Sequence, residues 1–388
     1  MPQILHVYNV FGSGTERAWL DYPLTLEESG WQPAFACEAM ATEAPSHIDP
    51  RPVVLRRIEV KPTHDVAAQM QAIAEGPLDP AMEYAIDTHR PAVVHGHFGP
   101  RMLHLAPLLQ RGLPCVVSLY GYDASRLLRD VTWLARYRWF AQRGGVFAVL
   151  SRHMRDRLIA AGVPESQTRI IHLGVDPEQW QFKPRAAPQP AKFVFLGRLT
   201  AKKAPMDAVR AVQILNRDHG VEAYLDIVGD GPLRDEVREG VEQAGLSSRV
   251  RLHGAIPREY VGSLLRNATA MVLPSVIAAD GDCEGTPVAL MEAQAMGVNC
   301  ITTRHAGNPE VLPPNSPMLA EENNPQDLAE VMRRVVAMSA DEYYKHQRLG
   351  RAWIESQFSL RQTCAAYARL YEQLMARTHR DATRGVAA

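Results

Sequence analysis

Two glutamates and two cations carry the strongest chemical signal in this sequence. Glu284 and Glu292 lie eight positions apart, and Arg198 and Lys203 precede them by roughly ninety residues. Cations suit the oxygens of a diphosphate, and carboxylates suit sugar hydroxyls, which donate hydrogen bonds. A nucleotide sugar has both parts, so the combination favours a nucleotide-sugar site. Taken singly, each cation could equally form a solvated ion pair of little energetic value.

The residues between the two glutamates predict how they are positioned. Thr286 followed by Pro287 indicates a helix start, because Thr suits a cap and Pro lacks only an N–H that would have no partner there. We predict a helix from near Pro287 to Gly297, a residue suited to a left-handed stop. Glu284 then lies in the loop before this helix, and Glu292 lies within it.

The start of this helix is itself a candidate phosphate site. The free N–H groups near Val288 and Ala289, added to the helix dipole, attract phosphate oxygens. The apolar run from Val298 to Ile301 predicts a short buried parallel strand after the helix. A loop, a helix start and a strand in this order are typical of a ligand site at the edge of a doubly wound sheet.

Length, charge and cysteine content restrict the class of protein. A chain of 388 residues exceeds one ordinary core, which predicts two domains. A formal net charge of −1 gives no reason to expect a nucleic acid partner. Five scattered cysteines favour a reducing compartment and argue against a zinc site. With no signal-peptide pattern and no apolar run of membrane-spanning length, we expect a cytoplasmic protein.

Strands alternate with helices in both halves, which predicts an α/β chain with two doubly wound, parallel-sheet domains. The segment from Pro177 to Pro190 contains four prolines and no periodic pattern, so it is the best linker candidate. We place the first domain at residues 1–183 and the second at 184–358. We expect 359–388 to form a helix that packs back on the first domain, followed by a frayed tail.

The first half opens with a strand and a glycine turn. Gly12 and Gly14 follow the predicted strand, but Arg17 leaves the dinucleotide-binding fingerprint incomplete. These glycines fit a tight turn as well as a ligand contact. This opening keeps an NAD-dependent oxidoreductase as an alternative function.

Polar residues follow two further strands of the first half. Tyr120 and Asp123 come after a predicted strand, and Asp123 suits catalysis and the capping of a helix about equally. His95 and His97 are separated by one residue and invite a metal interpretation. No Asp, Glu or Cys accompanies them at ligand spacing, so we predict no metal site.

The helix predicted near 131–143 interleaves aromatic and basic residues, among them Trp133, Arg136, Trp139 and Arg143. Such a helix can lie at a membrane surface. Its aromatic residues spread around the helix instead of forming one stripe, which favours a partly buried helix whose arginines extend to solvent.

Several motifs together resemble the retaining glycosyltransferases of the GT-B fold, sequence family 4. They include GRLTAKKAP, IVGDGPLRDEV and EGTPVALMEAQAMGVNCITTRHAGNPEVL in the second half, and HGHFGP, SLYGYD, LSRHMRDRLIAAGVP and IIHLGVD in the first. The phrase DGDCEGTPVALMEA, together with KKAP, is most similar to the exopolysaccharide and colanic-acid-type branch. The resemblance implies two Rossmann-like domains that face each other across a cleft, with the acceptor in the first and the nucleotide sugar in the second.

The resemblance also implies roles for individual residues. Arg198 and Lys203 would hold the diphosphate in place of a metal, Glu284 would bind the transferred sugar, and Glu292 would bind the ribose. The remaining donor contacts implied are Gly12, Gly14, Gly229, Ile256, Gly285, Thr286, Pro287, Val288 and Ala289. Glu284, Tyr120 and Asp123 are the implied catalytic group. No cofactor or metal is expected.

This sequence departs from the family pattern at two positions. Tyr120 stands where many relatives carry His, and Tyr is a poor base near neutral pH. Ala204 stands where Gly is common. A catalytically silent sugar-binding subunit therefore stays open beside the enzyme.

The expected partners are a nucleotide-sugar donor, with UDP or GDP, and a saccharide, lipid-linked or small-molecule acceptor. The family resemblance leaves room for peripheral contact with the inner face of a membrane.

Overall fold

The structure is a computed structural model that describes residues 1–12, 20–42, 44, 48 and 51–386, with only the backbone for 258–259 and 378–386. Helices and strands alternate along the chain. The strands are β1 Gln3–Phe11, β2 Gln32–Met40, β3 Val53–Val54, β4 Val93–His97, β5 Cys115–Leu119, β6 Val146–Val149, β7 Thr168–Ile170, β8 Ala191–Leu196, β9 Ala223–Val228, β10 Val250–Gly254, β11 Ala270–Leu273, β12 Cys300–Thr303 and β13 Leu319–Ala320. The helices are α1 Asp21–Thr25, α2 Val66–Glu75, α3 Pro80–His89, α4 Met102–Gln110, α5 Val131–Gln142, α6 Arg152–Ala160, α7 Pro205–Asp218, α8 Arg234–Gln243, α9 Arg258–Arg266, α10 Val288–Ala295, α11 Asn308–Val311, α12 Pro325–Val336, α13 Ala340–Gln357 and α14 Leu360–Val386.

The strands form two parallel sheets with the same pattern of winding. The first has the order β3-β2-β1-β4-β5-β6-β7, and the second has the order β10-β9-β8-β11-β12-β13. In each sheet the chain winds outward from its first strand in one direction and then in the other. The order reverses between β1 and β4 in the first sheet and between β8 and β11 in the second. The prediction of two doubly wound α/β domains is therefore confirmed. Such reversal points are where open α/β sheets bind ligands.

The chain divides into two compact units, Met1–Leu173 with Leu360–Ala388, and Gly174–Ser359. The predicted boundary at 183/184 differs because the segment after Leu173 is bonded to the second unit. The Val175 N–H donates to the Phe358 carbonyl at 2.9 Å. Arg351 donates to the carbonyls of Pro177, at 3.0 Å, and Trp180, at 2.8 Å. These bonds attach the proline-rich segment to α13.

The terminal helix α14 belongs to the first unit because its aromatic face is buried there. Tyr367 stacks on Tyr22 with ring centroids 4.6 Å apart, and Tyr371 lies edge-on to Trp31 at 5.3 Å. Both α14 tyrosines are essentially inaccessible to solvent. Burial of large aromatic rings is the main stabilising contribution available to such a helix.

Helix α5 is partly buried, as the pattern of its aromatic residues indicates. Trp139 and Phe140 are buried, whereas Arg143 extends over the Trp139 ring, with its guanidinium carbon 4.0 Å from the ring centroid. Asp130 caps the helix by accepting from the Thr132 N–H at 2.8 Å. Across the described residues, no helix is both long enough and apolar enough to cross a bilayer.

Candidate active site

The candidate site lies where the second sheet reverses its order, between β8 and β11. The loop after β8 carries Arg198 to Lys203, and the loop after β11 leads towards Glu284. The two loops are joined by the Val276 N–H, which donates to the Lys202 carbonyl at 2.8 Å. Because both strands end at the same edge, the polar groups of both loops meet there.

Helix α10 begins within one residue of the predicted position, but with a different cap. Pro287 is the cap residue, with an extended backbone at φ −67° and ψ 115°, and Val288 is the first helical residue. Thr286 makes no side-chain capping bond. Its hydroxyl is buried and has no hydrogen-bond partner among the described residues. The expectation that Thr286 caps the helix is therefore wrong, and its hydroxyl is left without a structural role.

Lys203 and Glu284 form an ion pair at the centre of this region, with Nζ and Oε1 3.1 Å apart. Both side chains are largely buried, with 15% and 8% of their surfaces exposed. Burial by itself would raise the pKa of Glu284. Lys203 and, to a lesser extent, Lys202 outweigh that effect and hold the pKa below its usual value. Glu284 is therefore ionised at neutral pH.

Lys202 has a different partner from its neighbour. Its Nζ lies 3.1 Å from Asp282 and 3.4 Å from the Cys283 carbonyl oxygen. Asp282 thus holds the loop that precedes Glu284. Of the two adjacent lysines, Lys202 braces the backbone and Lys203 faces the glutamate.

Ala204 follows this pair in the left-handed conformation, at φ 44° and ψ 53°. That conformation costs a residue with a Cβ about 1–2 kcal/mol relative to its preferred basins. An alanine at this position therefore stores strain directly beside Lys203, at the start of α7.

His305 fixes the backbone of Glu284. The Glu284 N–H points at His305 Nε2, 3.0 Å away, and His305 Nδ1 lies 2.8 Å from Glu322 Oε1. A peptide N–H can only donate, so Nε2 accepts and the ring proton is on Nδ1, where it is donated to Glu322. Burial is the main reason that the pKa of His305 is lowered, although Glu322 acts in the opposite direction. The imidazole is therefore neutral.

Sequence reasoning missed His305 and Glu322, although a usable signal was present. His305 comes two residues after the end of β12, at the edge where polar residues gather in such sheets. Glu322 follows the two-residue strand β13, which is too short to be recognised from alternation.

Buried hydroxyl groups without partners surround the reversal point. Thr200 follows β8, Ser275 follows β11, and Thr286 precedes α10. The side-chain oxygen of each has no hydrogen-bond partner among the described residues. Buried polar groups are normally paired, so three unpaired hydroxyl groups at one edge mark a candidate place for a polar ligand or an ordered water.

The other predicted donor residues are dispersed around this edge. Arg198 is exposed, and no hydrogen bond or ion pair links it to Glu284 in the part of the chain that the structure describes. Glu292 is half-buried on the second turn of α10, and Ile256 is half-buried in the loop after β10. The backbone of Gly229 lies so close to the loop after β8 that an added Cβ would fall 2.0 Å from the Gly197 carbonyl oxygen. Glycine at 229 is thus required by packing between the two loops.

The first unit does not bear out a ligand-facing arrangement for Asp123. Its carboxylate is buried and accepts the N–H groups of Tyr120 and Gly121, both at 2.9 Å, and of Gly99 at 3.1 Å. The two roles considered for Asp123 are catalysis and the capping of a helix, and these contacts show neither, because the carboxylate braces the local backbone. It braces a loop that contains a 3₁₀ turn rather than an α-helix.

Tyr120 is also turned inward. Its hydroxyl lies 2.7 Å from Nδ1 of His97, a residue with no exposed surface. Burial is the first of several effects that raise the pKa of Tyr120, so its phenol is neutral. Gly12 lies at the end of β1 with φ 77°, a value that favours glycine. Gly14 lies outside the described residues.

His6, His95 and His97 form a buried group in the first sheet, with ligand atoms all within 4.8 Å of one another. The register of β1 and β4 places His6 opposite His95, which the spacing of the last two histidines could not reveal. The His95 nitrogens lie 2.6 Å from the Tyr371 hydroxyl and 2.7 Å from the Ser118 hydroxyl. The His95 and His97 rings stack at 4.6 Å with their planes 17° apart, so their in-plane lone pairs do not converge well. These contacts fit an internal hydrogen-bond network better than a metal centre.

A fold with two doubly wound sheets and a lysine–glutamate pair at the second reversal point is that of a GT-B glycosyltransferase. Comparison with family models agrees. The model described as Glycosyltransferase Family 4 matches residues 12–179, and the model described as Glycosyl transferases group 1 matches residues 176–352. The chain belongs to glycosyltransferase family 4.

Two curated relatives are named for the biosynthesis of extracellular polysaccharides. The chain is 32% identical over 277 residues to WcaL of Escherichia coli (strain K12), named as a glycosyltransferase of colanic acid biosynthesis. That match covers 70% of this chain and 68% of WcaL. It is 35% identical over 239 residues to the amylovoran biosynthesis glycosyltransferase AmsK of Erwinia amylovora, covering 61% of this chain and 58% of AmsK. The matches thus span 58% of the length of AmsK and 68% of the length of WcaL.

Solved structures show the same fold at low sequence identity. Sucrose-phosphate synthase from Thermosynechococcus elongatus superposes with a TM-score of 0.74 at 18% identity, covering 96% of this chain and 99% of that one. HepE from Anabaena, in a complex with UDP-glucose, superposes with a TM-score of 0.74 at 15% identity, covering 96% of this chain and all of that one.

Proposed function

We propose that this protein transfers a sugar from a nucleotide-diphosphate sugar to a saccharide, lipid-linked or small-molecule acceptor, with retention of the anomeric configuration. The observation that carries the proposal is the buried pair of Lys203 and Glu284 at the reversal point of the second sheet. The pair supplies a cation for phosphate oxygens and an ionised carboxylate for sugar hydroxyls. The HepE structures with UDP and with UDP-glucose support the choice of donor class.

The second unit supplies the donor groups of this proposal. Lys203, joined by Arg198, holds the diphosphate, and the N–H groups at the start of α10 receive its remaining oxygens. Glu284 accepts hydrogen bonds from the transferred sugar, and Glu292 accepts them from the ribose. The loop near Ile256 contacts the base.

Retention follows if the acceptor attacks from the face that the diphosphate leaves. The departing phosphate oxygen then accepts the proton of the acceptor hydroxyl, the new glycosidic bond forms on that face, and the bond to phosphate breaks. The cationic groups stabilise the leaving diphosphate. This scheme assigns proton transfer to the substrate, and Tyr120 and Asp123 are not needed as bases.

A panel of UDP-, GDP- and other nucleotide sugars, measured by thermal shift and then by calorimetry, tests the donor. A ligand that binds only the native state raises the melting temperature, so the correct donor gives the largest shift. NAD serves as the contrasting ligand. Tight binding of NAD without binding of any nucleotide sugar would favour the oxidoreductase. Donor binding without hydrolysis or transfer would favour the silent subunit, and product anomers resolved by NMR test retention.

A further inference from the structure

The first sheet has its own buried charged group at its reversal point. Glu38 lies two residues before the end of β2, Arg101 follows β4, and His104 lies in the first turn of α4. Their side chains are 7%, 10% and 2% exposed, respectively. The strand order β2-β1-β4 places this group, here called the Arg101 cluster, on both sides of the end of β1.

The contacts within the Arg101 cluster involve few of the N–H groups of the guanidinium. Arg101 Nη1 approaches Glu38 Oε1 as an ion pair, and the same oxygen lies 2.9 Å from His104 Nε2. The Arg101 contact is not aligned as a hydrogen bond, and Nε is buried without a partner among the described residues. A carboxylate that matched the guanidinium would engage it through both oxygens.

Two half-buried arginines of the chain make hydrogen bonds of a kind that Arg101 lacks. Arg351 donates to three carbonyl oxygens, including that of Ala295 at 2.8 Å, and to Glu355. Arg185 donates through Nη2 to the Leu265 carbonyl at 2.7 Å, although its Nε and Nη1 have no partner among the described residues. Arg101 makes no aligned hydrogen bond to any described residue. Within the described part of the chain Arg101 is paired only with Glu38, and burying a guanidinium whose remaining N–H groups lack acceptors is costly, which favours a further partner for it.

The strand beside Arg101 is adapted to hold it. A Cβ added to Gly96 of β4 would lie 2.9 Å from the Cβ of Arg101, so any larger residue at 96 would displace the arginine. Glu38 keeps its charge: burial would raise its pKa, but His104 and Arg101 lower it below the usual value. The guanidinium of Arg101 is therefore held in place by the ionised carboxylate of Glu38. The pair lies at the edge where such sheets bind ligands.

We propose that the Arg101 cluster binds a phosphate or carboxylate group, and that the acceptor of the transfer reaction is therefore anionic. The guanidinium supplies paired N–H donors to two oxygens of that group, and Glu38 and His104 hold it in place. The identification of the bound anion with the acceptor rests on the proposed function. The anion site itself does not depend on that function.

Calorimetry on the full chain tests the site with three probes: glucuronate, glucose 1-phosphate and glucose. We expect both anions to bind at least roughly tenfold more tightly than glucose, the size of one or two hydrogen bonds to a charged group. A preference for glucuronate indicates an acidic sugar, and a preference for glucose 1-phosphate indicates a phosphate. Equal binding of all three, or no binding, would overturn the proposal. UDP or GDP binding, measured in parallel, reports on the donor site alone.

Variants distinguish an anion-binding site from an ion pair that only stabilises the fold. Arg101→Gln should abolish the preference for anions, and Arg101→Lys should restore part of it. Glu38→Gln should tighten anion binding, because it removes a like charge from beside the ligand. Arg111→Gln is the matched control, since Arg111 lies at the other end of α4 and donates to the Pro107 carbonyl. If Arg101→Gln and Glu38→Gln both lower the melting temperature without changing anion binding, the pair is structural and the proposal fails.

Discussion

The two sheets share one winding pattern but use their polar residues in opposite ways. In the first unit, His95, His97 and Tyr120 bond to one another or to neighbouring buried side chains. In the second unit, Lys203 and Glu284 pair at the sheet edge, where the Thr286 hydroxyl has no described partner. The first network is satisfied among protein groups, except that His6 Nε2 has no hydrogen-bond partner among the described residues, whereas we propose that a ligand completes the second.

The comparison shows that position along a strand does not reveal which role a polar residue takes. Tyr120 and Lys203 both follow a strand at the carboxyl edge of their sheets. The difference lies in what surrounds them, since Tyr120 meets a fully buried histidine and Lys203 meets an ionised carboxylate. Variants at these positions therefore test the contrast directly.

Glu284→Gln should cause the largest loss. The amide keeps the shape of the side chain but cannot accept hydrogen bonds at both terminal atoms, and it removes the charge beside the transferred sugar. We expect turnover to fall by about 100- to 1,000-fold, the size of effect seen when one preorganised electrostatic group is removed. Nucleotide binding by calorimetry should persist. A variant with unchanged turnover would remove Glu284 from the reaction.

Lys203→Met should weaken donor binding by roughly 10- to 100-fold, since hydrogen bonds to charged groups contribute about 1.5–3 kcal/mol. Lys202→Met is the matched control, because Lys202 braces Asp282. It should lower the melting temperature with a smaller change in nucleotide affinity. Equal losses in both variants would show that the two lysines do not differ in role. Calorimetry with the nucleotide diphosphate measures both.

The sequence predicted the local elements around Glu284 and Glu292 well, because the signals for these elements are local. The run from Glu284 to Gly297 contains a loop, a helix start and a stop, and α10 begins at Val288 as expected within one residue. The sequence did not predict that Pro287 is the cap residue of α10, because the cap depends on the direction from which the preceding loop reaches the helix.

The pairings across long separations could not be predicted in the same way. Glu38 meets Arg101, and His6 meets His97, only because β1 lies beside β2 and β4. Strand order is a property of the whole sheet, and the sequence of one strand does not specify which strands lie beside it. The inward direction of Tyr120 has the same origin.

Acid should destabilise the first unit before the second. Burial lowers the pKa of His6 to about 3 and lowers those of His95 and His97 as well, from an ordinary value of 6.5. Unfolding exposes them, so the unfolded state binds more protons, and the free energy of unfolding falls as the pH drops below about 6.5. Each histidine contributes about 1.4 kcal/mol per pH unit once the pH is well below that value. In the second unit, burial also lowers the pKa of His305.

Hydrogen exchange read by mass spectrometry between pH 8 and pH 5 reports each unit separately. Peptides of β1 and β4 should lose protection on acidification more steeply than those of β8 and β11. His6→Gln should make the free energy of unfolding of the first unit less dependent on pH, by about the contribution of one histidine. Identical slopes in both units would contradict the assignment of three neutral histidines to the first sheet.

Tyr120→Phe should have the smallest effect and gives the sharpest test of the contrast. The phenol donates or accepts within the protein, at 2.7 Å from His97, so its loss should cost about 1 kcal/mol of folding stability. Turnover should stay within about threefold of the parent, because a hydroxyl held by a buried imidazole is not presented to substrate. Chemical denaturation and steady-state kinetics on the same preparation measure the two quantities. A loss of turnover approaching that of Glu284→Gln, with stability unchanged, would mean that the hydroxyl leaves His97 when substrate binds, and Tyr120 would then belong with the reacting groups.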